Sequence, residues 1–144
     1  MSNGVLIDTG PLVAYRRSRD AYHEWALEQF ETLDPPLISC EPVLTEACFL
    51  LARAGSSPLW PIEMVDRGIV QIRLRVEDEA APIRTLMQRY ANVPMSLADA
   101  CLVRMAEITG LPICTLDSDF AVYRAHRHRA LTLITPNPRS LHEA

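Results

Sequence analysis

Four acidic residues occupy positions where a carboxylate is unlike an ordinary solvated surface charge. They are Asp8, Glu46, Asp99 and Asp117, called the acid cluster below. Carboxylates that stand close together repel one another, and a divalent cation is the usual compensation. Oxygen ligands without His or Cys favour Mg²⁺ or Mn²⁺ over Zn²⁺. A cation held in this way lowers the pKa of water and neutralises developing charge, which suits hydrolysis of a phosphodiester.

The elements that must position these acids follow from the apolar pattern. Short apolar runs predict strands over residues 5–8, 37–40, 69–74, 113–116 and 131–134. Helical periodicity predicts a helix opened by Gly10 and Pro11, then helices over 20–33, 42–54, 57–68, 76–90 and 96–109. A short helical turn fits between the last two strands. This alternation predicts an α/β fold with a mostly parallel central sheet and helices on both faces.

The predicted topology brings the acid cluster to one edge of the sheet. Asp8 and Asp117 end the first and fourth strands, and ligands of open α/β sheets bind at the carboxyl ends of strands. Glu46 lies early in the helix that directly follows the second strand. The helix of Asp99 enters the fourth strand through Gly110, so its first turn stands at the same edge.

Glu46 has apolar helical neighbours, namely Val43, Phe49 and Leu50. An unpaired carboxylate on such a surface costs several kcal/mol or becomes protonated. We therefore expect Glu46 to be buried and paired, with a protonated core acid as the structural alternative.

The other acids also have purely structural interpretations. Ser96 and Asp99 match a capping box, although the helical wheel turns Asp99 toward the sheet. Asp8 and Asp117 are each placed to cap the turn after a strand, and Asp119 is placed to act only in a turn. Each alternative is plausible singly, but the coincidence of all of them at one edge favours a shared site.

Composition limits the class of protein. The chain has 144 residues, 49% of them hydrophobic, which predicts one domain over residues 1–144. No apolar run approaches the ~20 residues of a membrane span. The first residues lack the basic stretch of a secretion signal, so a cytoplasmic location is expected.

The basic and sulfur-containing residues exclude further chemistry. All fourteen basic residues are Arg, which excludes sites that depend on a Lys, such as P-loops and Schiff bases. The net charge of −4 does not favour a nucleic-acid binder, although bound cations would offset it. The four Cys residues stand in apolar contexts without zinc-ligand spacing, which predicts reduced core thiols.

Four blocks of the sequence resemble the PIN-domain family, specifically its VapC-like toxin ribonucleases. The blocks are 6–12 (LIDTGPL), 43–51 (VLTEACFLL), 96–100 (SLADA) and 115–120 (TLDSDF), and their order and spacing fit over nearly the whole chain. Residues 119–124 (DFAVYR) and 131–134 (LTLI) are also typical of these toxins. The resemblance implies a PIN-like fold and an Mg²⁺- or Mn²⁺-dependent endoribonuclease. It further implies a homodimer that a small cognate antitoxin inhibits.

By position, the resemblance makes the acid cluster the metal site. Asp8, Asp99 and Asp117 would bind the cation directly or through water. Glu46 would complete the site and orient or deprotonate the attacking water, so no His is required as base. Asp119 varies in the family and is expected to be a secondary ligand.

Two threonines adjoin the acids in the sequence. The hydroxyls of Thr9 and Thr115 are placed to hold a carboxylate or a water of the metal, with turn capping as the alternative.

An RNA substrate needs positive charge around a negative edge. The candidates are Arg16 and Arg17, with Arg19 beside them, and Arg124, Arg127 and Arg129, with His126 and His128 among them. A solvated loop is the alternative for both groups. The apolar residues Trp25, Phe30, Trp60 and Met64 are candidates for a groove that holds an antitoxin helix or a dimer face, with a core position as the alternative. His23 is expected to be an exposed helix residue.

Two other functions stay open. A PIN fold kept as a binding module would lack nuclease activity, but none of the four acids is missing. Asp117 and Asp119 have the spacing of the acid pair in haloacid-dehalogenase-type phosphatases. That pair normally follows the first strand, and its chemistry usually needs a Lys that this chain lacks.

Overall fold

The computed structural model describes residues 3–136. The first half of this range forms β1 (Val5–Ile7), α1 (Thr9–Arg16), α2 (His23–Thr32), β2 (Leu37–Ser39), α3 (Glu41–Arg53) and α4 (Trp60–Asp66). The second half forms β3 (Val70–Ile72), α5 (Ala80–Arg89), α6 (Leu97–Thr109), β4 (Ile113–Cys114), a 3₁₀ helix (Ser118–Ala121), β5 (Arg124–Ala125), β6 (Arg129–Ala130) and β7 (Leu133–Ile134). None of the helices in this range is long and apolar enough to cross a membrane.

A five-stranded parallel sheet forms the centre of the molecule. Its strand order is β3-β2-β1-β4-β7, and Leu6 of β1 pairs with Ile38 on one side and Ile113 on the other. Because every neighbouring pair is parallel, all five strands end at the same edge, called the carboxyl edge below. The opposite edge is called the amino edge. The predicted α/β fold with a mostly parallel sheet flanked by helices is confirmed.

Three helices start at the carboxyl edge and run toward the amino edge. α1 and α3 each begin within two residues of the end of a strand, and α6 leads through Gly110 into β4. Gly110 adopts a left-handed conformation (φ 71°), which ends α6 and turns the chain back. The first turns of all three helices therefore lie near the ends of β1, β2 and β4.

Burial explains why the central strands β1, β2 and β4 are apolar except for Ser39. All three residues of β1 and of β2 are buried, as expected for strands covered on both faces. Cys40, Cys101 and Cys114 are buried free thiols and Cys48 is half-buried, which agrees with the prediction of reduced core cysteines.

The segment between β4 and β7 departs from prediction. The expected short helical turn is present as the 3₁₀ helix, but the antiparallel pair β5–β6 that follows was not expected. The strands of this pair are two residues long and contain only Arg and Ala, which carry little β propensity. Its turn uses His126 and Arg127 with positive φ (50° and 74°) in place of Gly or Asn, so the sequence gives no hairpin signal.

Candidate active site

Asp8 lies at the centre of the carboxyl edge, between the end of β1 and the start of α1. Its Oδ1 accepts a hydrogen bond from the backbone N–H of Thr9 (2.8 Å), and its Oδ2 accepts one from the hydroxyl of Thr115 (2.7 Å). Only 6% of Asp8 is exposed. The predicted cap at the start of α1 is therefore present, and the carboxylate is also fixed from β4.

The pKa of Asp8 is raised to about 7. Burial is the largest cause, because it removes the carboxylate from water. The hydrogen bonds from Thr115 and Thr9 oppose the shift, while the charges of Asp99 and Asp117 add to it. Asp8 is therefore within electrostatic range of two other members of the acid cluster.

Thr115 links Asp8 to Asp117. While its hydroxyl donates to Asp8, the same oxygen accepts the backbone N–H of Asp117 (3.0 Å). Asp117 caps the 3₁₀ helix, since its Oδ1 accepts the N–H of Asp119 (2.9 Å). Thr115 is fully buried, whereas Asp117 and Asp119 are half-buried. Burial and the charge of Asp117 raise the pKa of Asp119.

Glu46 reaches the cluster from α3, but it is exposed and not buried. The expectation of a buried Glu46 is wrong because its helical neighbours Phe49 (57% exposed) and Leu50 (43%) are themselves on the surface. Only Val43 among the three is in the core. Glu46 is nevertheless paired, since its Oε2 accepts the hydroxyl of Thr9 (3.0 Å).

Asp99 makes the predicted capping box with Ser96 at the start of α6. The Ser96 hydroxyl accepts the N–H of Asp99 (3.0 Å), and Oδ2 of Asp99 accepts the N–H of Ser96 (3.2 Å). The same Oδ2 accepts the hydroxyl of Tyr123 (3.1 Å). Burial is the main reason that the pKa of Asp99 is raised, and the charge of Asp117 contributes.

Tyr123 was not singled out by residue chemistry. Its side chain is fully buried, and burial together with Asp99 raises its pKa above the ordinary range, so it stays a hydrogen-bond donor. Its place in the 119–124 block was the only signal in the sequence.

Three of the four acids each have one carboxylate oxygen that accepts no hydrogen bond from the described residues, called an open oxygen below. No residue within 3–136 donates a hydrogen bond to Oδ1 of Asp99, Oδ2 of Asp117 or Oε1 of Glu46. In each case the second oxygen is held by a protein donor. The lone pairs of the open oxygens are therefore available to a ligand.

The donor set suits a hard divalent cation. Within residues 3–136 no three or more His, Cys, Asp or Glu side chains form a ready-made group of metal ligands. Mg²⁺ in proteins commonly keeps several waters and takes only one or two carboxylates directly. Open carboxylate oxygens around the buried Asp8 fit a cation bound in that way, and the absence of a His or Cys donor to the cluster among residues 3–136 disfavours Zn²⁺.

The first arginine cluster (Arg16, Arg17 and Arg19) does not adjoin the acids. Arg16 ends α1, about 10 Å along the helix axis from Thr9. The cluster lines a cavity of about 180 Å³ together with the residues that follow α3. Both helices start at the carboxyl edge, so the first arginine cluster lies toward the amino edge.

The basic hairpin (residues 124–130) also extends away from the acids. The backbone N–H of His126 donates to Glu107 (2.7 Å), which lies eight residues beyond Asp99, about 12 Å along α6. The guanidinium of Arg124 donates to the carbonyls of residues 121, 122 and 123, so it closes the 3₁₀ helix. Arg127 and Arg129 are exposed and contact no acid within the described residues.

Two cavities have apolar walls. One, of about 520 Å³, is lined by Glu46 of the acid cluster together with other residues of α3, of the segment after β3 and of the start of α6. The other is lined by Phe30, Trp60 and Met64, with Tyr15 stacked on Trp60 (5.6 Å between ring centroids). Trp25 is half-buried and does not line the second cavity. His23 is half-buried, with Nδ1 2.8 Å from the carbonyl of Ala14.

The chain has a match among known protein families. Residues 5–125 match the family model of the PIN domain. The chain therefore belongs to the PIN-domain family.

A solved structure gives a more particular likeness. The chain is similar to Mycobacterium tuberculosis VapC20, described as a Sarcin-Ricin loop cleaving toxin. The TM-score is 0.77 at 20% sequence identity, and the match covers 87% of this chain and 98% of VapC20. The expectation of a PIN domain with a VapC-like fold is confirmed. No curated protein matches the chain.

Proposed function

We propose that the protein is a divalent-metal-dependent endoribonuclease that hydrolyses RNA phosphodiester bonds at the acid cluster. The observation that carries this proposal is the set of open carboxylate oxygens around the buried Asp8 in a PIN-family chain. Burial is the main cause of the raised pKa of Asp8, and the charges of Asp99 and Asp117 add to it. A bound cation would relieve the repulsion among these carboxylates. The whole of residues 1–144 is proposed to form one nuclease domain in the cytoplasm.

Each acid has a proposed role that follows from its contacts. Asp8, Asp99 and Asp117 would hold Mg²⁺ or Mn²⁺, with Asp119 as a secondary ligand. When bound, the cation supplies charge neutralisation at the phosphate and a lowered pKa for water.

Glu46 is the proposed residue for the attacking water. It is exposed, its Oε1 is open, and the Thr9 hydroxyl fixes its Oε2. Glu46 can therefore orient a water molecule and accept its proton. Thr115 fixes Asp8 relative to Asp117 and takes no part in proton transfer.

The proposed partners follow from the family and from the apolar surface. VapC20 acts on an RNA, the Sarcin-Ricin loop, which supports RNA as the class of substrate here. We propose a homodimer and a small cognate antitoxin. The cavity lined by Phe30, Trp60 and Met64 is the proposed antitoxin groove, because its lining also includes the exposed apolar residue Ile69 (41%).

The test is cleavage of total cellular RNA by the purified protein in Mn²⁺. Discrete cuts that vanish in EDTA and with Asp99→Asn are expected. Asp66→Asn, which changes an exposed acid at the end of α4, is the matched control and should cut normally. Absence of cutting by the folded, antitoxin-free protein would overturn the nuclease proposal and favour the binding module. Phosphomonoesterase activity without RNA cleavage would favour the phosphatase alternative.

A further inference from the structure

Tyr123 is the largest fully buried side chain and joins the end of the 3₁₀ helix to the acid cluster. Its ring packs edge-on against Phe120 (5.2 Å between centroids) and Tyr90 (5.1 Å). Its hydroxyl is the only polar atom of the side chain and donates to Oδ2 of Asp99 (3.1 Å). Aromatic packing therefore fixes the ring, and the ring fixes the position of the donor.

Asp99 is held at one oxygen and open at the other. Oδ2 accepts from both the Ser96 N–H and the Tyr123 hydroxyl, while Oδ1 receives no hydrogen bond from the described residues. The Ser96 bond comes from the same helix end. The Tyr123 bond comes from a separate segment, 24 residues later in the chain. Two donors on one oxygen fix the rotation of the carboxylate, and so they also fix where Oδ1 points.

We propose that Tyr123 is a positioning residue that orients Asp99 so that its Oδ1 is ready for a divalent cation. This inference rests on the proposed function, because it needs Asp99 to be a metal ligand. Tyr123 acts through Asp99 and contacts neither substrate nor cation. Outer hydrogen-bond partners of metal ligands commonly contribute 10–100-fold in metal affinity.

Tyr123→Phe removes the hydroxyl and keeps the ring in its aromatic packing. Tyr90→Phe is the matched control, since it removes the hydroxyl of the neighbouring ring. That hydroxyl accepts the backbone N–H of Arg124 (2.9 Å) and contacts no acid. Thermal melting of both variants measures the purely structural cost of losing a tyrosine hydroxyl.

The main readout is Mn²⁺ binding to the full chain without RNA, measured by calorimetry or by the EPR signal of free Mn²⁺. Tyr123→Phe is expected to weaken Mn²⁺ binding ~10-fold or more, and Tyr90→Phe to leave it unchanged. In RNA cleavage, Tyr123→Phe should need more Mn²⁺ for half-maximal rate, while the rate at saturating Mn²⁺ recovers to within a few-fold of wild type.

A double variant tests whether Tyr123 acts through Asp99. In the Asp99→Asn background, Tyr123→Phe should cause no further loss of Mn²⁺ affinity, because the two changes remove one unit. Additive losses, or wild-type affinity in Tyr123→Phe, would overturn this inference and leave the nuclease proposal standing. Absence of Mn²⁺ binding by the wild-type chain would overturn both.

Discussion

The carboxyl edge of the sheet carries acidic side chains and the amino edge carries arginines, and the two groups differ in how firmly the protein holds them. At the carboxyl edge the acids are fixed by hydrogen bonds to the protein, and Asp8 is almost wholly buried. Toward the amino edge Arg16, Arg127 and Arg129 are exposed and contact no acid within residues 3–136. Helix α1 joins the two regions, since Asp8 caps its start and Arg16 ends it.

Under the proposed function, this difference assigns catalysis to the acid cluster and RNA binding to the arginines. Catalytic groups must be held in a fixed geometry, whereas phosphate contacts need only charge within reach. An RNA that uses both regions has to extend about 10 Å or more from the cut site, because that is the length of α1. Arg16 also has a structural role, because a cation at the end of a helix is favourable, as is an acid at its start.

The largest expected effect comes from neutralising the carboxyl edge. Asp117→Asn keeps the size of the side chain but removes a charge and a proposed ligand. RNA cleavage at saturating Mn²⁺ should fall at least ~100-fold, since metal stabilisation of charge is worth several kcal/mol in the transition state. The measurement is kcat/KM on one defined RNA. Activity within threefold of wild type would remove Asp117 from the proposed site.

The pH dependence of stability tests whether the carboxyl edge holds Asp8 in a buried environment that raises its pKa. Its pKa of about 7 in the folded protein lies above the ordinary 3.8, so folding favours its protonated form. In EDTA, the contribution of Asp8 to stability should therefore be greatest below about pH 4, fall as the pH rises toward 7 and level off above it. The rise of its pKa from 3.8 to about 7 corresponds to a loss of about 4 kcal/mol in the free energy of unfolding over that range.

Asp8→Asn tests this assignment. At pH 8 in EDTA the variant should melt at a higher temperature than wild type, and the advantage should vanish near pH 4. Mn²⁺ at pH 8 should stabilise wild type more than the variant. If the melting temperatures of wild type and Asp8→Asn differ by the same amount at every pH from 4 to 9, Asp8 is not the titrating group.

A smaller effect is expected at the basic hairpin. Arg127→Gln with Arg129→Gln should raise KM for a long RNA about 3- to 10-fold and reduce the salt slope by about two. The kcat should not change, because these residues lie away from the acids. The exposed Arg67 and Arg84, changed to Gln together, provide the control. A fall in kcat without a change in KM would contradict the proposal that the basic hairpin acts in RNA binding and not in catalysis.

The smallest effect is expected from the capping box alone. Ser96→Ala removes the hydroxyl that accepts the Asp99 N–H and leaves both bonds to Oδ2 intact. The free energy of unfolding should fall by about 1 kcal/mol, measured by urea titration. Cleavage should change less than about threefold. A loss as large as that of Asp99→Asn would mean that the cap, and not Tyr123, sets the carboxylate geometry.

The sheet and the convergence of segments could be predicted because both depend on periodicity and strand ends. Asp8 and Asp117 follow buried apolar runs, and parallel strands bring such positions together. The prediction that Glu46 is buried was wrong for a different reason. Apolar neighbours at helical spacing indicate a surface that avoids water only if something packs on it. In this chain Phe49 and Leu50 stay largely exposed, and the Phe49 ring is covered only in part, by the guanidinium of Arg53 (5.7 Å from the ring centroid).

The basic hairpin and Tyr123 could not be predicted for related reasons. The hairpin depends on Glu107, which holds His126 from 19 residues away, and not on turn residues of its own. In the sequence Tyr123 cannot be distinguished from any other core aromatic residue. Its proposed role depends on the hydrogen bond from its hydroxyl to Asp99. Single positions fixed by tertiary contacts leave no periodic trace in a sequence.

The bond from Thr115 to Asp8 has a consequence for synthesis of the chain. It joins residues 107 positions apart, and β1 lies between strands from both halves of the sequence. Contacts so distant form only after a large loop has closed, which is slow compared with local helix formation. A nascent chain shorter than 115 residues lacks both Asp117 and the threonine that aligns Asp8. The candidate site is therefore absent from these nascent chains and arises only after β4 and Asp117 have emerged from the ribosome.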